Sequence, residues 1–278
     1  MKQYRLDMKG VAVEIIESGG SQTPVFLFHG NSMSAAVFSS LVAANNNQTH
    51  RLIAVSLPGH GDTEFTVWNT HQPVTIAAIG QFIKDVIDAF NVQEYFLVGQ
   101  SVSGHAILQT LDQHQSALGL VLLSAPPVSL ETLAQALKPD PTNGLLFAGH
   151  LTESEAIAFA NSLFVQLSDT DRAEIAQSVQ RTEPMFRQQL GHSLALGEIK
   201  DEIHMLRDSH LPTALMMGSD DQFINLDYLA NAAIQPLFHG RVTIFNQAGH
   251  LFNLEQTQAF KVALLEMLDQ LAQDHQQS

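Results

Sequence analysis

The sequence predicts a doubly wound α/β architecture: a mostly parallel sheet flanked by helices and interrupted late in the chain by an all-helical insertion. Three observations predict it. Short continuous apolar runs recur along the chain, and strands of that kind are buried on both faces, as in a parallel sheet covered by helices. Segments of helical periodicity lie between these runs, and alternation of strand with helix builds a doubly wound sheet. Between Pro126 and His210 the alternation stops and only helical patterns remain.

Residues 11–16 alternate weakly and predict an early antiparallel strand. Val25-Phe26-Leu27-Phe28 runs into His29-Gly30, and Leu52-Ile53-Ala54-Val55 runs into Leu57-Pro58-Gly59. Phe96-Leu97-Val98, Leu120-Val121-Leu122-Leu123, Ala214-Leu215-Met216-Met217 and Val242-Thr243-Ile244-Phe245 complete the set. The clearest helix is 74–90, where Ile76, Ile79, Phe82, Ile83, Val86, Ile87 and Phe90 share one face. Residues 34–44, 102–114, 226–233 and 256–271 predict further helices. Within the insertion, Thr152-Glu153-Ser154-Glu155 is a capping box opening a helix to about residue 166. Two more helices are expected at 171–180 and 185–196, and Pro126, Pro127, Pro139 and Pro141 break the start of the insertion. The expected organisation is a core of 1–125 and 211–278 with a helical cap, or lid, of 126–210.

With 278 residues, 45% of them hydrophobic, the chain can bury a sizeable core. Its net charge of −15, from 13 basic and 28 acidic residues, disfavours nucleic acid and anionic membranes, which both need a basic face. The absence of cysteine excludes disulfides, thiolate metal sites and a cysteine nucleophile, and is compatible with a reducing cytoplasm. The first residues lack the apolar stretch of a signal peptide, and no run approaches the ~20 apolar residues of a membrane span. The expectation is a cytoplasmic protein acting on a small molecule, with a homodimer left open.

The chemistry centres on Gly99-Gln100-Ser101-Val102-Ser103-Gly104, between an apolar strand and a helix. A serine on a sharp strand-to-helix turn is a nucleophile elbow, with its hydroxyl lifted clear of the sheet and a helix N-terminus behind it. An ordinary polar turn has the same composition, so the rest of the chain must decide. A serine hydroxyl needs a base, normally a histidine oriented by a carboxylate. Asp221, three residues after Gly218, is the preferred acid; Asp220 is read as capping the turn or facing solvent. His250 follows the last apolar strand and Gly249, and is the preferred base. His60, His105 and His114 lack such a context and are read as structural. The two N–H groups of an oxyanion hole are expected from Val102, next to the serine, and from Asn31 in the loop after Phe28, whose amide could also hold a substrate carbonyl. No His-x-His-x-Asp-His, His-Glu-x-x-His or Gly-x-Gly-x-x-Gly pattern is present, so neither metal nor cofactor is expected.

Taken in order, His29-Gly30, Leu57-Pro58-Gly59-His60-Gly61, the serine turn, Gly218 to Asp221 and Gly249-His250 resemble the α/β-hydrolase superfamily. More narrowly, residues 28–38 and 57–62, Ala125-Pro126-Pro127-Val128, Asp221-Gln222-Phe223-Ile224-Asn225-Leu226-Asp227 and Asn246-Gln247-Ala248-Gly249-His250 are similar to metal-independent N-acyl-homoserine lactone lactonases. The resemblance implies an α/β-hydrolase fold and a serine hydrolase that opens an ester or lactone through an acyl-enzyme, without a cofactor. It also implies a lid whose apolar residues (Leu145, Leu146, Phe147, Phe159, Leu163, Phe164) line an acyl pocket or simply pack the lid helices together. Three departures stand out. Ser103 replaces a glycine, Ser56 an aspartate, and Phe159 a tyrosine that contacts substrate. Haloalkane dehalogenases and epoxide hydrolases require aspartate where Ser101 stands. A general carboxylesterase, a carbon–carbon bond hydrolase and a slow-turnover ligand sensor on the same fold are the alternatives.

Overall fold

The computed structural model describes residues 1–8, 10–45, 50–65, 73–139, 141–231 and 233–276. Eight strands form one sheet: β1 (Lys2–Met8), β2 (Val11–Glu17), β3 (Thr23–Phe28), β4 (His50–Val55), β5 (Tyr95–Gln100), β6 (Ala117–Leu123), β7 (Thr213–Gly218) and β8 (Val242–Phe245). Their order is β1-β2-β4-β3-β5-β6-β7-β8. β1 pairs antiparallel with β2 and β2 with β4; every other pair is parallel. Every residue of β5 is buried, so it reads as a continuous apolar run before a polar turn. β1 is the strand with no sequence signal. Lys2, Gln3, Tyr4 and Arg5 are exposed at the sheet edge, and only their register against β2 makes them a strand.

The helices are α1 (Ser39–Ala43), α2 (Ile76–Ala89), α3 (Val102–Leu108), α4 (Leu133–Ala136), α5 (Glu153–Ser162), α6 (Asp169–Arg181), α7 (Pro184–Ala195), α8 (Glu202–Ser209), α9 (Phe252–Glu255) and α10 (Thr257–His275). α2 buries the apolar face expected of it, and Thr75 caps it by accepting from Ala78 N. Residues 34–44 fold as a 3-10 turn, Ala35–Phe38, followed by α1. The helix after Ser101 stops at Leu108, earlier than its pattern suggests. The Thr110 hydroxyl donates back to Ala106 O at 3.0 Å, and a 3-10 turn, Leu111–Gln113, follows. The helix expected at 226–233 is a 3-10 turn, Leu226–Ala230; Ala232 lies outside the described residues.

Among the described residues, the segment between β6 and β7 carries α4 to α8 and no strand of the sheet. The capping box of α5 is complete: Thr152 Oγ1 accepts from Glu155 N, and the Glu155 carboxylate accepts from Thr152 N. α8 has no long apolar stripe; it packs on α3 and buries Ile203 and Leu206. Phe159, Ile175, Val179, Phe186 and Leu190 belong to the same hydrophobic cluster as the sheet, so α5 to α7 share the main core. Arg187 of α7 is wholly buried. Its guanidinium donates to Ala148 O (2.8 Å), Gly149 O (2.8 Å), Val179 O (2.9 Å) and Ser32 Oγ (3.3 Å). It thereby ties these helices to the loop after β3. Among the described residues, no helix is long and apolar enough to cross a membrane.

Candidate active site

Ser101 sits between β5 and α3 with φ 52° and ψ −121°, a conformation that costs a side-chain-bearing residue of order 1–3 kcal/mol. The turn is possible because strand and helix nearly touch. A Cβ at Gly99 would lie 2.8 Å from Gly104 Cα, and one at Gly104 would lie 2.5 Å from Ala125 Cβ. Ser103 does not occupy this crossing. It is buried, and its hydroxyl donates to His29 O at 2.5 Å, binding the elbow to the loop after β3. The Ser101 hydroxyl itself has no hydrogen-bond partner among the described residues, and it opens onto a cavity of about 160 Å³.

His250 lines the same cavity. Its Nδ1 lies 2.7 Å from Asp221 Oδ2, and the other Asp221 oxygen accepts from the N–H groups of Phe223 (2.9 Å) and Ile224 (3.1 Å). Burial pushes the Asp221 carboxyl up, but the charge and hydrogen bond of His250 and the two N–H groups outweigh it, and the net direction is down. The carboxylate therefore accepts a hydrogen bond from Nδ1–H, the tautomer that leaves Nε2 free to accept a proton. Asp220 is exposed and pairs with the Ser219 hydroxyl. Gly218 is needed because the β7 end and the His250 loop touch: a Cβ there would lie 2.2 Å from Gly249 O. Glu255 fixes the loop from the other side, accepting from Gly249 N (2.6 Å) and from Val165 N and Gln166 N (both 2.8 Å).

Asn31 and Val102 both line the cavity, and neither backbone N–H is taken by an acceptor among the described residues. The Asn31 side-chain amide donates to Leu146 O at 2.7 Å, so its contact is with the insertion. Gly30 lies close beside the serine: a Cβ there would sit 3.2 Å from Ser101 Cβ, a tight contact. His29 and His60 brace this loop. His29 Nε2 accepts from Leu57 N (2.9 Å) and His60 Nε2 from Ser32 N (3.1 Å). Burial drives both pKa values down, His29 to about 4, which keeps the rings neutral as those acceptor roles require. Ser56 bridges the loop to the sheet, accepting from Ala35 N (2.9 Å) and donating to the buried Glu14 (2.7 Å).

Of the expected lid residues, Leu146, Phe147, Phe159 and Leu163 line the cavity; Leu145 and Phe164 do not. Phe159 is fully buried and meets Phe223 edge-to-face at 6.1 Å, and Phe223 in turn meets the His250 ring at 5.4 Å. Wall residues that sequence reasoning missed include Gln100, His105, Val128, Leu190 and Ile224. They lie on separate segments and share no local pattern. Among the described residues, no three His, Asp or Glu side chains are grouped so as to hold a metal ion.

This strand order, with a serine lifted above its centre, belongs to the hydrolase class. The profile of the alpha/beta hydrolase family matches residues 25–263, and the chain belongs to that family. Curated relatives include the 2-hydroxy-6-oxononadienedioate/2-hydroxy-6-oxononatrienedioate hydrolase of Paraburkholderia phymatum, 24% identical over 91% of this chain and 90% of that protein. The 2-hydroxy-6-oxo-6-phenylhexa-2,4-dienoate hydrolase of Comamonas testosteroni is 22% identical over 95% and 93%. Among solved structures, the N-acyl homoserine lactonase AidH complexed with N-butanoyl homoserine superposes with a TM-score of 0.89, covering 98% of each chain at 22% identity. Identity at this level establishes a shared fold and leaves the substrate to the site.

Proposed function

We propose that this chain is a serine hydrolase of carboxylic esters or lactones, acting through an acyl-enzyme. The observation that carries the reading is the arrangement around one cavity. A serine at a strained elbow and a histidine line it together, and a buried, hydrogen-bonded carboxylate holds that histidine. In this mechanism Ser101 attacks the carbonyl while His250 Nε2 takes its proton. Asp221 holds the ring in that tautomer and stabilises the imidazolium. The N–H groups of Asn31 and Val102 bind the oxyanion, each worth about 2.7–4 kcal/mol in the transition state. His250 returns the proton to the leaving alkoxide, then activates water to release the acyl group. Residues 126–210 act as the lid, and Phe159 contacts the acyl chain.

N-acyl-homoserine lactone ring opening is the particular form supported by the likeness to AidH and by the motifs shared with those lactonases. A second reading, carbon–carbon bond hydrolysis of dienone-type acids, is favoured by the names of the curated relatives. The experiment compares wild type with Ser101→Ala on p-nitrophenyl esters, a series of acyl-homoserine lactones and a dienedioate. Wild type is expected to turn over esters or lactones, and the substitution to lower kcat by up to ~10⁶-fold. Equal rates in the two proteins would remove Ser101 from the reaction; turnover of the dienedioate alone would select the second reading.

A further inference from the structure

The cavity contains a second histidine–carboxylate pair that the reaction above does not use. His105 lies in the first turn of α3, its N–H bonding to Ser101 O at 3.2 Å. Both line the cavity. His105 Nδ1 is 2.8 Å from Glu202 Oε2. Glu202 is completely buried and also accepts from Gln109 Nε2 (3.0 Å) and Val128 N (3.1 Å). With three donors converging on this carboxylate, Nδ1 is the ring nitrogen whose N–H points at Glu202. Burial pushes the His105 imidazole down, but the charge and hydrogen bond of Glu202 outweigh it, and the net direction is up. Nε2 has no partner among the described residues.

Of the other polar side chains of the cavity, Asn31 and Gln100 have their amide donors engaged by the protein, while Gln100 Oε1, an acceptor only, has no partner among the described residues. Asn31 donates to Leu146 O, and Gln100 Nε2 to His250 O (3.3 Å) and Asn253 Oδ1 (2.9 Å). Ser101 and His250 serve the reaction. The rest of the wall is largely aliphatic and aromatic, Val128, Leu133 and Ile199 among it. Nε2 of His105 is therefore left for a ligand, and the upward direction of its pKa favours the doubly protonated ring, which donates from that nitrogen.

We propose that His105, clamped by Glu202, is a substrate-recognition residue that donates its Nε2–H to a carboxylate on the acyl portion of the substrate. The proposal rests on Ser101 as nucleophile, and it names the substrate class as esters or lactones of a dicarboxylic acid.

The test uses the whole chain and two substrates that differ only in a terminal carboxylate, the mono-p-nitrophenyl ester of adipic acid and p-nitrophenyl hexanoate. Wild type is expected to show the higher kcat/KM on the adipate ester. His105→Phe is expected to lower the adipate-to-hexanoate ratio by about tenfold or more, the scale of one charge-assisted hydrogen bond. General loss of packing would lower both rates and leave the ratio alone. Calorimetric binding of free adipate, which needs no turnover, should weaken by a similar factor. If His105→Phe does not fold, His105→Gln carries the same comparisons. A wild-type preference for hexanoate, an unchanged ratio, or equal adipate binding in variant and wild type overturns the assignment. Activity of Ser101→Ala equal to wild type would instead remove the hydrolase reading, and the calorimetry would still decide the role of His105.

Discussion

His250 Nδ1 and Asp221 Oδ2 are 2.7 Å apart although the residues are 29 positions apart in sequence, and the carboxylate is fully buried. An amide at position 221 would fit the same space but could present its N–H to the ring and favour the wrong tautomer. Asp221→Asn is therefore expected to lower kcat by about 10⁴-fold with KM little changed. Steady-state kinetics on a p-nitrophenyl ester provides the check; a loss smaller than tenfold would mean that Asp221 is not the orienting acid.

The elbow predicts destabilisation at two neighbouring positions, for different reasons. Gly104→Ala would push a Cβ to 2.5 Å from Ala125 Cβ and 3.0 Å from Gly99 O, so overpacking of about 1–3 kcal/mol or more is expected. Ser103→Gly restores the common Gly-x-Ser-x-Gly pattern, yet it is expected to destabilise by about 1–3 kcal/mol. It removes the hydrogen bond to His29 O and puts glycine in a helix. Urea unfolding of both variants tests this; a stabilised Ser103→Gly would contradict it.

Acid should destabilise the fold through its buried histidines. Burial lowers His29 and His114 to about 4 and places His60 well below its ordinary value, whereas the unfolded chain titrates near 6.5. Between about pH 6.5 and 4 the unfolded chain binds more protons, so stability is full above that window and falls as pH drops through it. For His29 and His114 the loss is on the order of 3 kcal/mol each. Asp221, lowered in the fold, adds its own loss at more acidic pH. His105, raised in the fold, contributes in the opposite sense: its stabilisation is present below about 6.5 and is lost as pH rises through its folded value. Calorimetric Tm should fall across the acid window, and His114→Phe should flatten the fall; equal slopes for variant and wild type would contradict this.

Phe159 fills the cavity wall beside Phe223. Phe159→Ala is expected to cost about 3–5 kcal/mol and to shift the preferred acyl chain to greater length, because the vacated volume adjoins the cavity. A series of p-nitrophenyl esters of increasing chain length reads the shift; an unchanged optimum would place the acyl chain elsewhere.

Much of the site was legible because its constraints are local. Gly99 and Gly104 mark a close crossing, an apolar run before Ser101 marks a buried central strand, and glycines beside Asp221 and His250 mark the ends of neighbouring segments. β1 was not legible, because an exposed edge strand has no buried face to pattern it. α8 was missed because it is short and one of its three buried residues, Glu202, is charged. Ser103 was legible as a tolerated substitution, but its bond to His29 O was not.

The sequence by itself determined the sheet-and-helix alternation, the elbow and the order of serine, acid and base, since strand burial and tight turns depend on residues adjacent in the chain. Only the tertiary structure decided that His105 faces the cavity with Glu202 behind it, that the Asn31 amide belongs to Leu146, and that Phe159 rather than Phe164 forms the wall. Those outcomes depend on which distant segments compete for the same donors and the same volume, and only close packing of the whole chain resolves that competition.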